Sequence, residues 1–192
     1  CIRDRSGTHR IWGRLSCVQG NYVVLSASMA ETLKALVERF AQSGQVIWIG
    51  LRPERRAAML PVEEAVAGTR GFAGDHGASD KRAVTLIQAE HLPVIGSFLG
   101  RGPVAASDVR RNLVVAGINL SALKGRHVRV GAVVLEITGI CAPCSRMEQA
   151  LGAGGYAAMR GHGGWCARVV EPGLMRVGDD VTPLTTPQPR SL

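Results

Sequence analysis

The apolar positions of this chain fall into short, β-branched runs separated by glycine, proline or charge, with helical spacing in only a few places. The first such place follows Ser28-Met29-Ala30-Glu31, a capping-box pattern whose serine and glutamate satisfy the first free amides of a helix. Behind it Met29, Leu33, Leu36, Val37 and Phe40 recur on one face. That spacing predicts an amphipathic helix over 29–42, stopped near Gly44 and packed through its apolar stripe. Q-V-I-W-I-G-L at 45–51 is apolar and β-branched, so it reads as a strand, and Pro53 breaks the pattern after it. G-F-A-G-D-H-G at 71–77 reads as a loop, and R-A-V-T-L-I-Q at 82–88 as a strand. Residues 89–100 suit a short helix, with Pro93 tolerated in its first turn. A strand through Leu113–Ile118 and one helical turn over L-S-A-L-K-G come next. One or two strands then surround Gly131, and a helix is expected over 144–151. W-C-A-R-V-V at 165–170 is a strand, and 173–181 suggests a short hairpin end.

Many short strands and few helices predict a mainly β fold, a barrel decorated by short helices. There is no internal repeat and no βαβ alternation, which argues against a parallel dinucleotide-binding sheet. The domain body is expected over 45–182, after the 29–44 helix. Residues 1–28 have no apolar period and no Met before Met29, although Y-V-V-L at 22–25 can form a short strand. They are expected to be a non-native or disordered lead, and Cys1 and Cys17 are set aside with them. The Pro- and Thr-rich residues 183–192 are expected to be a flexible tail.

Composition narrows the class. With 46 % hydrophobic residues, the 192-residue chain can bury a real core. No apolar run approaches the roughly 20 residues that span a bilayer, and no secretory leader pattern opens the sequence, so a cytoplasmic protein without membrane association is expected. Five cysteines are odd in number and sparse, which favours reduced thiols over a disulfide scaffold. The net charge is +8, carried mostly by arginine. That balance suits nucleic acid or a phosphorylated small ligand. Aromatic residues make up only 4 %, too few to stack bases between the cations, so nucleic acid is not expected.

The chemistry concentrates between Arg110 and Gly164. Cys141 and Cys144 form C-x-x-C directly after a strand. Zinc would want four ligands. Cys166 and His162 can add two, but no second C-x-x-C is present. A thioredoxin-type dithiol would want a strand meeting a long helix in an α/β sheet. Two inert buried cysteines are the plain alternative. Cys144 opens a helix, whose N-terminal amides favour an anion, and Arg146 adds positive potential two residues on. Arg110 offers a planar fork and Asn112 both donors and an acceptor, whereas Arg111, between them, points the other way in an extended chain. Gly161, Gly163 and Gly164 around His162 let backbone amides approach an anion, which makes Gly163 a candidate binding residue. His162 is either a proton donor or a loop histidine. Asp75 and His76 are either pocket rim or turn residues, and the arginines of R-P-E-R-R at 52–56 either face an anion or form a solvated turn.

Taken in order, G-D-H at 74–76, K-R-A-V-T-L-I-Q at 81–88, R-R-N-L-V-V-A-G-I-N-L at 110–120, C-A-P-C-S-R-M-E at 141–148 and V-G-D-D-V at 177–181 resemble the MOSC domain. This domain occurs at the C-terminus of molybdenum cofactor sulfurases, in stand-alone bacterial proteins and in the mitochondrial amidoxime-reducing component. The resemblance runs from about Gln45 to Val181. It implies a β-barrel of the pyruvate-kinase-barrel type that binds molybdopterin-bound molybdenum, with Cys144 at the family's metal-ligating and catalytic cysteine. The family's R-x-N motif falls on Arg110 and Asn112, which would hold the cofactor with Arg146 and Gly163. The implied activity is reduction of N-hydroxylated compounds such as hydroxylaminopurines. The alternative is a sulfur or cofactor carrier that uses a Cys144 persulfide. The longer N-terminal subdomain of family reductases is not matched. Neither is the pyridoxal-phosphate desulfurase domain of the sulfurases, so pyridoxal phosphate is not expected in this chain. Implied partners are a small-molecule substrate and an electron-donor protein or a cysteine desulfurase.

Overall fold

The computed structural model describes residues 33–77 and 79–184. The expected lead, the strand at 22–25, the first turn of the helix from Met29, and the end of the tail lie outside the described residues. Eleven strands are described: β1 (Gly44–Leu51), β2 (Leu60–Val62), β3 (Glu64–Gly68), β4 (Gly71–Phe72), β5 (Val84–Gln88), β6 (Leu113–Ala116), β7 (His127–Val130), β8 (Val133–Ile140), β9 (Trp165–Glu171), β10 (Gly173–Arg176) and β11 (Asp180–Pro183). The α-helices are α1 (Leu33–Val37), α2 (His91–Phe98), α3 (Ser145–Leu151) and α4 (Gly155–Ala158), with a 3-10 turn over Leu120–Leu123. No described helix is long and apolar enough to cross a membrane.

Seven strands pair in the order β11-β7-β8-β9-β5-β6-β1 and close into a barrel where β11 returns to β1, Gly44 opposite Val181 and Gln45 opposite Asp180. The alternation of side chains along each strand points every second residue inward. Val46, Ile49, Val84, Leu86, Leu113, Val115, Val128, Val130, Leu135, Ile137, Ala167, Val169 and Val181 accordingly make one buried cluster. Mainly β architecture and barrel closure agree with the strand-rich pattern of the sequence.

A second cluster lies outside the barrel wall. Ile87 of β5 and Val114 of β6 pack there with Ile95 of α2, Val109, Met147 and Leu151 of α3, Ala158 of α4 and Met159. Strand β5 is therefore buried on both faces, all five residues of it. It also runs parallel to β6, Leu86 opposite Leu113. A parallel pair needs a crossover, and the chain supplies one through α2, so a single β5-α2-β6 unit exists where no βαβ unit was expected.

Three further differences have physical reasons. The first helix is described only over Leu33–Val37, and its Leu33, Leu36 and Val37 are exposed. Phe40 beyond it packs on the core instead. The 173–181 segment is no hairpin: β10 pairs with β3 in a small second sheet, while β11 pairs with β7 and β1. Residues 60–72 carry three short strands that the sequence hid, because Pro61 and the acidic Glu63 and Glu64 break the apolar run. Pro61 sits on β2, an edge strand that only β1 pairs, where a missing amide is tolerated.

Candidate functional site

A cleft of about 450 Å³ forms where the end of β1, the starts of β5 and β6, and the end of β8 meet. Its cationic lining is Arg52, Arg55, Arg56, Arg82, Arg110 and Arg146, with Arg111 behind them and His76 and Glu54 at the wall. Cys144, Pro143 and Met147 complete it. The motif residues Arg110, Cys144 and Arg146 thus come together. The 52–56 run also faces the cleft, so it is not merely a solvated turn.

Arg110 adopts a left-handed backbone conformation at φ 56°, and Arg56 does so at φ 74°. These conformations cost a residue with a Cβ about 1–2 kcal/mol and tend to collect at sites where the surroundings enforce them. Arg110 is held by donation from Nη1 to the Ala57 carbonyl, 2.8 Å, which ties the β6 entrance to the 52–57 loop. Burial, then the charges of Arg52 and Arg146, lower its pKa, the expected effect of crowding guanidinium groups without enough acid.

Asn112 stands behind that wall and is 2 % exposed. Its Oδ1 accepts from the Thr85 amide and hydroxyl at 3.2 and 2.8 Å. Its Nδ2 donates to the Gly50 carbonyl at 3.2 Å and to Asp75 Oδ2 at 3.3 Å. Asp75 in turn accepts from Arg52 through the backbone amide, Nε and Nη2, at 2.7, 3.3 and 3.1 Å. The G-D-H and R-x-N motifs therefore meet each other. Asn112 aims Arg52 through Asp75, and its amide is committed to protein partners on both ends.

Arg111 is the buried member of the pair, 6 % exposed. It donates to three carbonyls: Nε to Gly163 at 2.6 Å, Nη1 to Val109 at 3.1 Å and Nη2 to Cys141 at 3.0 Å. Burial lowers its pKa, and the neighbouring thiols oppose that. Gly163 is packed inward beside it. A Cβ there would stand 2.9 Å from the Cys141 oxygen, and one at Gly164, φ 89°, only 2.0 Å from the Leu86 oxygen. These glycines serve close strand packing rather than a cleft mouth. The rest of the glycine-rich loop includes α4. His162 stacks edge-on against His91, centroids 4.9 Å apart, and beside Phe98 at 5.5 Å. It is not among the residues that line the cleft.

The C-x-x-C pair is split. Cys144, at the N-cap of α3 with φ −131°, is exposed. Cys141 is buried, and its Sγ accepts from Arg82 Nη2 at 3.9 Å, while the neighbouring Cys166 of β9 directs its Sγ to the Ile140 carbonyl at 3.9 Å. The neighbouring Cys166 thiol, with the Arg111 and Arg82 charges, holds the Cys141 pKa below the usual thiol range although burial opposes it. Cys166 shifts the other way, through the neighbouring Cys141 and burial. Among the described residues no three His, Cys, Asp or Glu side chains converge as a metal site. Sequence reasoning missed the Cys141–Cys166 contact and Arg82. Register could have found the first, since Cys166 stands opposite Gly139, two residues before Cys141.

The family model for the MOSC domain matches residues 73–182. Among solved structures, the YuaD protein from Bacillus subtilis is similar at 14 % identity and a TM-score of 0.66, over 73 % of this chain and 94 % of that one. YiiM from Geobacillus stearothermophilus is similar at 18 % identity and a TM-score of 0.63, over 74 % of this chain and 75 % of that one. YiiM from Escherichia coli follows at 19 % and 0.59, over 74 % and 70 %. No curated protein matches at a significant level. At these identities the structures speak for the barrel alone, but the domain model spans more than half of the sequence, and the chain belongs to the MOSC domain family.

Proposed function

We propose that the cleft holds the molybdenum cofactor, with Cys144 as the protein's thiolate ligand to the metal, and that the protein reduces N-hydroxylated compounds such as hydroxylaminopurines. The observation that carries this reading is an exposed thiol set among six arginines of which, among the described residues, only Arg52 pairs with a carboxylate, that of Asp75. A thiolate is a soft ligand suited to molybdenum, and guanidinium forks suit the phosphate of a pterin cofactor. Cys144 alone cannot complete a metal site, so the remaining ligands come with the cofactor, which carries its own sulfur donors. The residues present therefore fit the group. When bound, it supplies two-electron transfer.

The chain's own part is positioning. Arg110 and Arg146, which line the cleft with Cys144, would hold the anionic cofactor, together with Arg55 and Arg56 from the loop. Arg52, fixed by Asp75 and Asn112, sets the wall behind them. Arg111 fixes the Cys141 backbone, hence the turn that presents Cys144.

The test is metal analysis of protein made in a cofactor-competent host, followed by reduction of a hydroxylaminopurine with a supplied electron donor. Molybdenum with turnover is the expected result. Cys144→Ser should remove both, because serine offers a hard oxygen, while Cys141→Ser should retain a measurable fraction of each. Cyanide-releasable sulfur without turnover would favour the carrier reading, which the exposure of Cys144 also permits. Absence of both molybdenum and labile sulfur would overturn the proposal.

A further inference from the structure

We propose that Cys141 and Cys166 form an oxidisable dithiol, separate from Cys144, in which Cys141 attacks a small hydroperoxide and Cys166 resolves the product as a disulfide. The proposal does not rest on the identity of the main cleft's ligand, although the route to Cys141 shares Arg52, Arg82 and Arg110 with that cleft.

Four observations bring the pair together. Both thiols are free and buried, at 2 % and 4 % exposure, on one face of the β8–β9 ladder. Cys166 faces Gly139 in register, and the Cys141 amide continues the ladder by donating to the Gly164 carbonyl at 2.9 Å. Two cations flank Cys141: Arg82 Nη2 lies 3.9 Å from its Sγ, and Arg111, bonded only to carbonyls, holds its backbone oxygen. Finally, a cavity of about 330 Å³ reaches Cys141 past Arg52, Arg82, Arg110 and Ser79, so a small solute has a route to a thiol that bulky reagents would not reach.

Chemistry assigns the roles. A buried guanidinium without a carboxylate favours an anion beside it, and Cys141 is the group there that can become one. The opposite pKa directions of the two thiols agree, placing charge on Cys141 and the proton on Cys166. The Cys141 thiolate attacks one peroxide oxygen, the O–O bond breaks, and hydroxide or alkoxide leaves with a proton from solvent. Cys141 is then a sulfenic acid. The Cys166 sulfur attacks it, the S–O bond breaks, and water leaves. Overall two thiols and one hydrogen peroxide give one disulfide and two waters. Arg82 stabilises the thiolate and the departing oxyanion.

The experiment uses the full chain carrying C1S and C17S, treated with hydrogen peroxide at neutral pH and read by intact mass and peptide mapping. A loss of two hydrogens, a Cys141–Cys166 link and reversal by dithiothreitol are expected. The C144S variant should form the same link at an unchanged rate. C166A should stop at a Cys141 sulfenic acid that dimedone traps. Arg82→Gln should slow the reaction about tenfold, since it removes the cation nearest the sulfur. A Cys141–Cys144 link, oxidation confined to Cys144, or no oxidation of Cys141 would each overturn the proposal. Should C166A fail to fold, the peptide map of the parent and of C144S decides the matter.

Discussion

Arg110 and Asn112 are two residues apart, and the fold gives them different work. Arg110 lines the cleft at φ 56°, whereas every polar atom of the Asn112 side chain is bonded within the protein. Arg110→Ala should leave the melting temperature nearly unchanged and weaken cofactor retention. Losing one charge-assisted contact costs roughly 1.5–3 kcal/mol, about ten- to a hundredfold in affinity. Asn112→Ala should behave in the opposite sense. It takes the acceptor from the buried Thr85 amide and one partner each from the Thr85 hydroxyl and the Gly50 carbonyl, while Asp75 keeps Arg52, and at about 1–3 kcal/mol for a buried group left unpaired the protein should melt below its parent. Melting curves and metal content of both variants, side by side, check this. The sequence made both residues visible, since an R-x-N triplet before an apolar run is easily seen. It could not divide their roles, because Thr85 and Asp75 are distant in sequence.

At the scale of elements, strands β8 and β9 decide how the thiols behave. The C-x-x-C spacing of Cys141 and Cys144 left zinc, dithiol, cofactor-ligand and inert readings open. The end of β8 instead leaves Cys141 in the ladder beside Cys166, and the turn through Pro143 carries Cys144 out to α3. The depressed pKa of Cys141 has a stability consequence. Its thiolate contributes stability that is present above the unfolded value of about 8.5 and lost as pH falls through the folded value. The melting-temperature difference between the parent and Cys141→Ser should therefore shrink on acidification from pH about 8.5 to below neutrality. A constant difference would mean that the thiol is a neutral packing group. Strand β5 carries another prediction. Ile87 is fully buried and lies between the barrel wall and the helices, so Ile87→Ala should cost roughly 2–5 kcal/mol in chemical denaturation. The strand itself was legible as a β-branched run. Its two-sided burial was not, because the covering residues, Ile95 and Met147, come from helices elsewhere in the chain.

The whole molecule was legible as a strand-rich barrel because glycine and proline punctuate its apolar runs. The second sheet was not, since β3 finds its partner β10 more than a hundred residues later and local pattern holds no trace of that pairing. The closing pair is more distant still. Gly44 meets Val181, so the start of β1 waits for nearly all of the described chain before its second edge is covered, while β2 covers the end of that edge early. During synthesis, which runs from the N-terminus, β1, β6 and the arginines of the 52–56 loop leave the ribosome long before β11 does. Until then the start of β1 and the edge of β7 present unpaired amides and carbonyls, the condition under which strands join neighbouring chains. Contacts this distant in sequence also slow the search for the native pairing, which places refolding in the millisecond-to-second range or slower. Val181→Pro, which disrupts the closing strand, should lower the yield of soluble protein on dilution from denaturant, and that loss should grow with protein concentration. The barrel's last strand thus sets how long the nascent chain must be kept from its neighbours.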